Sequence, residues 1–311
     1  EQIQPMVLGL SKVLDMTGNH NLKNDLNVLF ITCSGEDVGI GHLSRSMVIC
    51  KYLISSTNLN INLCINGNLI KRDDFNRVNY EFIVNTENFF DEVLTIIYKK
   101  KIQVIIIDLF YPKYIEKIEI FLQSLKKRNI IIIAIDGLVN FHKYIDLIFI
   151  PSISYKKPRA ISANIISGWD CLLLNVDYTK KNTEYENSIL VLTGGSDVAN
   201  LGETWPKILN DCLPFNSKVK WIVGPYSRNP SSYIPTRIKI EYIENQSNLN
   251  SIISCTKYAI TVFGVSFFEL LSFGVPTIVF PARHGSNQDD LDIIKKEQIA
   301  IVGDDALHSS K

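Results

Sequence analysis

Two short runs restrict what this chain can fold into more than anything else in it: "VIIID" at 104–108 and "IIIIAID" at 130–136. Both are apolar on successive residues, not alternate ones, as expected of central parallel strands covered on both faces. Each ends in an aspartate, so carboxylates gather at the C-terminal edge of the sheet. Amphipathic stretches alternate with such runs. The first half reads as strands 27–33, 61–65, 80–84, 103–108, 130–135 and 146–150, with helices 41–55, 87–100 and 113–127. The pattern then restarts, with strands 189–193, 218–223, 239–243, 257–262, 276–280 and 299–302 and helices 200–210, 248–254, 266–273 and 288–297. The expected fold class is α/β, with two doubly wound Rossmann-like domains facing across a cleft, where ligands bind beyond the carboxyl ends of the strands.

The polar, breaker-rich stretch 151–187 reads as the connection between domains. The expected organisation is therefore a leader or linker at 1–26, an N-terminal domain with the connection at 27–186, and a C-terminal nucleotide-binding domain at 187–311. A length of 311 residues suits two such cores. The chain starts without methionine, as a segment of a longer polypeptide or a trimmed one would.

Composition excludes several classes. Thirty-two basic residues balance thirty-two acidic ones, which leaves no global field for nucleic acid or an anionic membrane, so an anionic ligand has to be caught by local groups. No apolar run approaches the roughly 18 to 20 residues of a membrane helix. The start, "EQIQPMVLGLSKVLDM", lacks the basic region of a signal peptide. Six scattered cysteines with no C-x-x-C pair suit buried thiols in a reducing compartment. A cytoplasmic protein is expected, with no cofactor and no metal: His142 and His284 have no partners at metal-ligand spacing.

Four loops could carry chemistry. In "VGIGHLSRS", Gly39 and Gly41 permit a sharp turn and close approach to a ligand, and His42 falls in the first turn of the helix that follows, with Arg45 on the same face. An imidazole beside a helix N-terminus is biased toward the neutral form that a general base requires, although a glycine turn with a solvated His and Arg fits the same letters. In "VLTGGSDVAN", Gly194, Gly195, Ser196 and Asp197 can cradle phosphate or form an ordinary capped turn. In "TVFGVSFFELLSFGVPTIVF", Ser266 and Glu269 have the spacing of a capping box. The same geometry would let helix N–H groups bind a diphosphate and Glu269 accept from ribose hydroxyls. Asn287 and Gln288, after the next strand, could touch a nucleotide sugar or simply open a helix.

Taken in order, "DVGIGHLSRS", "IIIDLFY", "IIAIDGLVNFHKYIDLIF", "ISGWDCLLLNVDY", "LVLTGGSDVAN" and "TVFGVSFFELLSFGVPTIVF" with the following "NQ" make the chain, from about Asn27 to Gly303, resemble the UDP-sugar hydrolases of pseudaminic acid biosynthesis. Spore-coat polysaccharide proteins look related. The resemblance implies the two-domain GT-B fold of inverting glycosyltransferases and metal-independent removal of UDP from a 2,4-diacetamido-2,4,6-trideoxy hexose, with water taking the acceptor's place at the anomeric carbon. It implies that His42 is the water-activating base with Arg45 beside it, and that Gly194 to Asp197, Ser266, Glu269, Asn287 and Gln288 lie on the nucleotide side. Asp108 falls with the substrate-binding residues, and Tyr111 is the nearest match to a family active-site tyrosine. Where the family usually has Asp-His-Tyr, this chain reads Asp108, Leu109 and Phe110, with Tyr111 one place late. Where it has a glycine-led segment with tyrosine and arginine, this chain has Gly168, Trp169, Asp170 and Cys171. The nucleotide half is thus better kept than the sugar half.

Three functions follow from these residues. The first is a UDP-sugar hydrolase. The second is an inverting glycosyltransferase building surface polysaccharide or glycoprotein. The third is a non-catalytic nucleotide-sugar-binding module of a larger protein.

Overall fold

The computed structural model describes residues 26–68, 70, 75–76, 78–83, 87–110, 115–158, 164–177, 186–230, 232–244, 246, 249–283 and 287–304. They divide into two compact units. One holds the chain up to Ser34 together with His42–Leu173, the other Gly35–Gly41 together with the chain from Leu174 on.

The first unit is built on β1 (Asn27–Ser34), α1 (Gly41–Ser56), β2 (Asn60–Gly67), β3 (Asn79–Ile83), α2 (Phe89–Lys99), β4 (Val104–Asp108), α3 (Ile115–Lys126), β5 (Ile131–Ile135), β6 (Leu147–Ile150) and β7 (Ile165–Ser167). Its seven strands are parallel in the order β3-β2-β1-β4-β5-β6-β7. The chain leaves β1 in one direction for β2 and returns to its other side with β4, so the strand order reverses between β1 and β4. Such a switch point is where doubly wound sheets leave a crevice at their carboxyl ends.

Both faces of this sheet are covered, as the unbroken apolar runs require. On one face Val28, Phe30, Leu63, Ile106 and Ile133 pack with Leu43, Met47, Cys50 and Leu53 of α1, a spacing that lays one stripe of the helix on the sheet. Because side chains alternate along a strand, Val104, Ile106 and Asp108 share that face. The last of the three therefore points toward α1 and not into the opposite layer, where Phe90 of α2 stacks on Phe121 of α3 at 4.5 Å between ring centroids.

The second unit repeats the plan: β8 (Glu186–Leu192), α4 (Leu201–Cys212), β9 (Lys218–Ile222), β10 (Lys239–Ile243), α5 (Asn250–Ser254), β11 (Thr256–Val262), α6 (Val265–Ser272), β12 (Thr277–Phe280), α7 (Gln288–Lys296) and β13 (Ile301–Val302). The six parallel strands run β10-β9-β8-β11-β12-β13, with the switch between β8 and β11. Trp205 and Leu209 of α4 cover one face of the sheet with Trp221 and Phe280, while Ile253 of α5 and Leu270 of α6 cover the other with Leu190 and Ile222.

The expected strands and helices all form, with ends shifted by a few residues. The stretch read as pure connection contains β7, a three-residue edge strand, and a 3-10 turn at Trp169–Cys171. A further 3-10 turn, Val139–Tyr144, carries His142, which is half-buried. None of the six cysteines forms a disulfide, and Cys33, Cys50, Cys64 and Cys171 are buried. Among the described residues no helix is long and apolar enough to cross a membrane.

The layering makes a plain stability prediction. Ile106 lies at the centre of the first sheet with no exposure, whereas Ile120 on α3 is 69% exposed. Ile106→Ala should cost about 2–5 kcal/mol and Ile120→Ala no more than about 0.5 kcal/mol, as read from urea midpoints.

Candidate active site

At the switch point of the first sheet, Asp108 ends β4 one strand over from Thr32 of β1, with which it is in register. Its carboxylate has no exposure. A carboxylate so placed needs counter-charge and donors, and α1 supplies both. Arg45 donates from Nε to Oδ2 and from Nη2 to Oδ1, each at 2.6 Å, while Ser46 Oγ lies 3.4 Å from Oδ2. His42 Nδ1 approaches Oδ1 at 2.6 Å. Burial pushes the Asp108 carboxyl up, but the Arg45 guanidinium and the His42 imidazole outweigh it and hold the group below its ordinary range. Arg45 is the converse case. Burial pulls it down, and Asp108 and Asp136 overcome this to keep it firmly charged.

This contact fixes the tautomer of His42. A buried, ionised carboxylate can only accept, so Nδ1 carries the proton and donates to Asp108, which leaves the Nε2 lone pair of the neutral ring free. Arg45 Nη2 lies 3.0 Å from the same Nδ1. Two donors do not bond each other, so this contact is a cation held beside the ring. With 16% of its side chain exposed, His42 keeps an edge to solvent. The arrangement can take a proton from a hydroxylic nucleophile at Nε2 while Asp108 stabilises the imidazolium that results.

Arg45 and Asp108 were expected among the substrate-binding residues, and in the structure they bond each other and His42. Arg45 is 9% exposed at its side chain and Asp108 not at all, and their polar atoms are engaged with each other, His42 and Asp136. They are supports of the imidazole. Asp136, absent from the expected site, is the acceptor for Arg45 Nη1 at 2.7 Å. Its signal in the sequence was the aspartate that ends "IIIIAID". Tyr111 and His284 lie outside the described residues.

In the second unit, the glycines after β8 serve close packing. A Cβ on Gly195 would stand 2.7 Å from Ile40 Cγ1 of the Gly35–Gly41 loop, and one on Gly224 would stand 2.4 Å from the Gly194 carbonyl oxygen. Gly39, at φ +68, sits with its Cβ position 3.4 Å from Ser196 Oγ, and Gly41 opens α1. Asp197 accepts from the N–H groups of Leu201 and Gly202 at 2.9 and 2.7 Å. Asp197 therefore caps α4, as the ordinary-turn reading of these letters expects.

The capping box does not form either. Helix α6 starts at Val265 after Gly264, no side chain caps it, and Ser266 is its second residue. The reason is a one-residue advance of the helix start, which Gly264 in an extended conformation permits. In its first turn the Phe267 N–H donates to the Gly264 carbonyl at 3.1 Å. One turn in, burial pushes the Glu269 carboxyl up to about 7, against which it accepts the Asn175 N–H. Asn287, at φ +56, precedes α7 without bonding it through its side chain, and Gln288 Nε2 donates to Asp292 at 2.7 Å. Among the described residues, no group of three or more His, Cys, Asp or Glu side chains is placed to hold a metal ion.

No protein-family model and no curated protein matches the sequence. Solved structures do match in shape. MurG of Acinetobacter baumannii aligns with a TM-score of 0.55 and 11% identity over 89% of this chain and 86% of that one. UGT2 of Phytolacca americana, solved with UDP-2fluoro-glucose and pterostilbene, aligns with a TM-score of 0.61 and 11% identity over 90% and 86%. The spinosyn rhamnosyltransferase SpnG, solved with thymidine diphosphate, aligns with a TM-score of 0.58 and 12% identity over 92% and 88%. The class is therefore defined by fold: two Rossmann-like domains of the GT-B architecture.

Glu269 makes the second unit's stability pH-dependent. A carboxyl raised in the folded chain favours its neutral form, so its contribution is full below the ordinary value of 4.5 and is lost as pH rises through about 7. Urea unfolding followed by the fluorescence of Trp205 and Trp221 should therefore show Glu269→Gln gaining on the native chain between those pH values, with the gap constant above them.

Proposed function

We propose that this protein is an enzyme acting on a nucleoside-diphosphate sugar, with His42 as general base for inverting displacement at the anomeric carbon. The observation that carries the reading is the short His42 Nδ1–Asp108 contact at the switch point, which frees Nε2 for proton transfer. The likeness to MurG, UGT2 and SpnG supports a nucleotide sugar as substrate, and the resemblance of the ordered loops to UDP-sugar hydrolases supports UDP and water.

In the reaction so read, the nucleophile's oxygen bonds to the anomeric carbon and its proton passes to His42 Nε2. The carbon–oxygen bond to the diphosphate breaks with its electron pair leaving on UDP. The uncapped N-terminus of α6 is suited to receive the diphosphate charge, and Glu269 to meet ribose hydroxyls. A 2,4-diacetamido-2,4,6-trideoxy hexose is the sugar the resemblance favours.

A second reading, inverting transfer to a sugar or protein hydroxyl, rests on a specific observation: the structures similar in shape include the rhamnosyltransferase SpnG and the forosaminyltransferase SpnP. The base chemistry is the same in both. Oxygen-18 water separates them, since hydrolysis puts the label into the released sugar and transfer to an acceptor does not. Saturable binding of UDP-sugars with no UDP release, with or without acceptors, would reduce the protein to a binding module.

His42→Ala should lower kcat for UDP release by about 100- to 10,000-fold while leaving UDP affinity within about twofold, as measured by steady-state kinetics and calorimetry. Unchanged turnover would remove His42 from the mechanism.

A further inference from the structure

Arg45 poses a problem for the pair it supports. Its guanidinium grips Asp108 through two nitrogens at 2.6 Å, and the Nη2 that does so also stands 3.0 Å from His42 Nδ1. At such similar distances the guanidinium opposes an imidazolium about as strongly as Asp108 favours it, because Coulomb energy scales as the inverse of distance. An Arg–Asp pair alone would be neutral as a whole, and His42 would gain little from it.

The third nitrogen resolves this. Arg45 Nη1 donates to Asp136 Oδ2 at 2.7 Å, so the cluster contains two carboxylates for one guanidinium and carries one excess negative charge beside the ring. Protonating His42 then makes the whole cluster neutral. Asp136 stands just past β5 at φ +58, a left-handed conformation that Asp and Asn tolerate better than most residues. Its N–H donates to the Phe149 carbonyl at 2.8 Å, which fixes the turn. Its side chain is 44% exposed, unlike that of Asp108. Among the described residues of this unit, the charged groups about the ring are Asp108 from β4, Arg45 from α1 and, through Arg45, Asp136, with the Ser46 hydroxyl against Asp108.

We propose that Asp136 is a positioning residue for the His42–Asp108 pair, acting through Arg45: by engaging the guanidinium it leaves Asp108 with negative charge directed at the imidazole. The catalytic part of this inference rests on His42 being the base; the electrostatic part does not.

Asp136→Asn tests it, because the amide retains the αL-tolerant backbone and an oxygen for Arg45 Nη1 while removing the charge. In protein carrying 15N-histidine, the His42 Nδ1 proton should resonate at low field in the native chain and move upfield in Asp136→Asn as its acceptor weakens. With the nucleotide sugar that the enzyme turns over, kcat should fall about tenfold while KM stays within about twofold, the split expected of a group that acts in the transition state alone. A merely structural Asp136 would lower the melting temperature and leave resonance and kcat in place, and that result overturns the proposal. An upfield shift with unchanged kcat overturns it as well. Should the native chain turn over no nucleotide sugar, the functional reading fails, and the Nδ1 resonance alone decides for or against Asp136.

Discussion

The ionised carboxylate of Asp108, sealed from water at the end of a central strand, is the constraint on which the first unit's chemistry depends. An unpaired charge there would cost several kcal/mol. Its partners must therefore be in place whenever the fold is. That requirement ties three elements together: β4 presents the carboxylate, α1 presents His42, Arg45 and Ser46 one turn apart, and the turn after β5 presents Asp136 to the far side of Arg45. The imidazole is oriented as a consequence of solving a burial problem, and its free nitrogen needs no further support.

Much of this was legible in the letters, for definite physical reasons. Unbroken runs such as "VIIID", too short to span a membrane and bounded by turn signals, read as covered strands, so both sheets and nearly all their helices could be placed. His42 and Arg45 stood out because a glycine turn between strand and helix is where such sheets keep their ligands. What the letters could not give was pairing across the sheet. Asp108 and Asp136 lie 28 positions apart, and only the neighbouring of β4 and β5 and the reach of Arg45 bring them onto one guanidinium. In the second unit the ambiguity is local, since the same letters suit a phosphate loop and a helix cap. Asp197 looks like part of a phosphate loop until its oxygens are found on the first amides of α4, and Ser266 looks like a cap until the helix is seen to start one residue before it. Strand β7 escaped because three residues in a polar stretch carry no periodicity to detect.

The two units share a strand order and differ in what stands at the point of reversal. The first places a charge cluster there. The second places glycines so tight that a methyl group on Gly224 would meet the Gly194 carbonyl, an uncapped helix at β11, and a carboxyl at Glu269 raised to about 7. Sheets that share an order can differ in this way because the loops at the strand ends, and not the strands, carry the variable side chains.

Under the proposed reading, the choice between water and a sugar hydroxyl does not lie in the His42–Asp108 pair, since Nε2 would accept a proton from either. It lies in what other side chains offer the nucleophile. Directly after Asp108 the chain offers Leu109, which is buried, and Phe110, whose N–H reaches Cys33 Sγ at 3.4 Å. Where the resembling hydrolases carry polar side chains, these two provide none. Neither side chain carries a polar atom that could hold a small nucleophile. In such a setting the nucleophile has to be placed by its own contacts elsewhere, and a large acceptor can make more of those than water can. The substitution at 109–110 therefore weighs toward transfer on physical grounds, while the order of the loops weighs toward hydrolysis, and the two indications come from different parts of the chain.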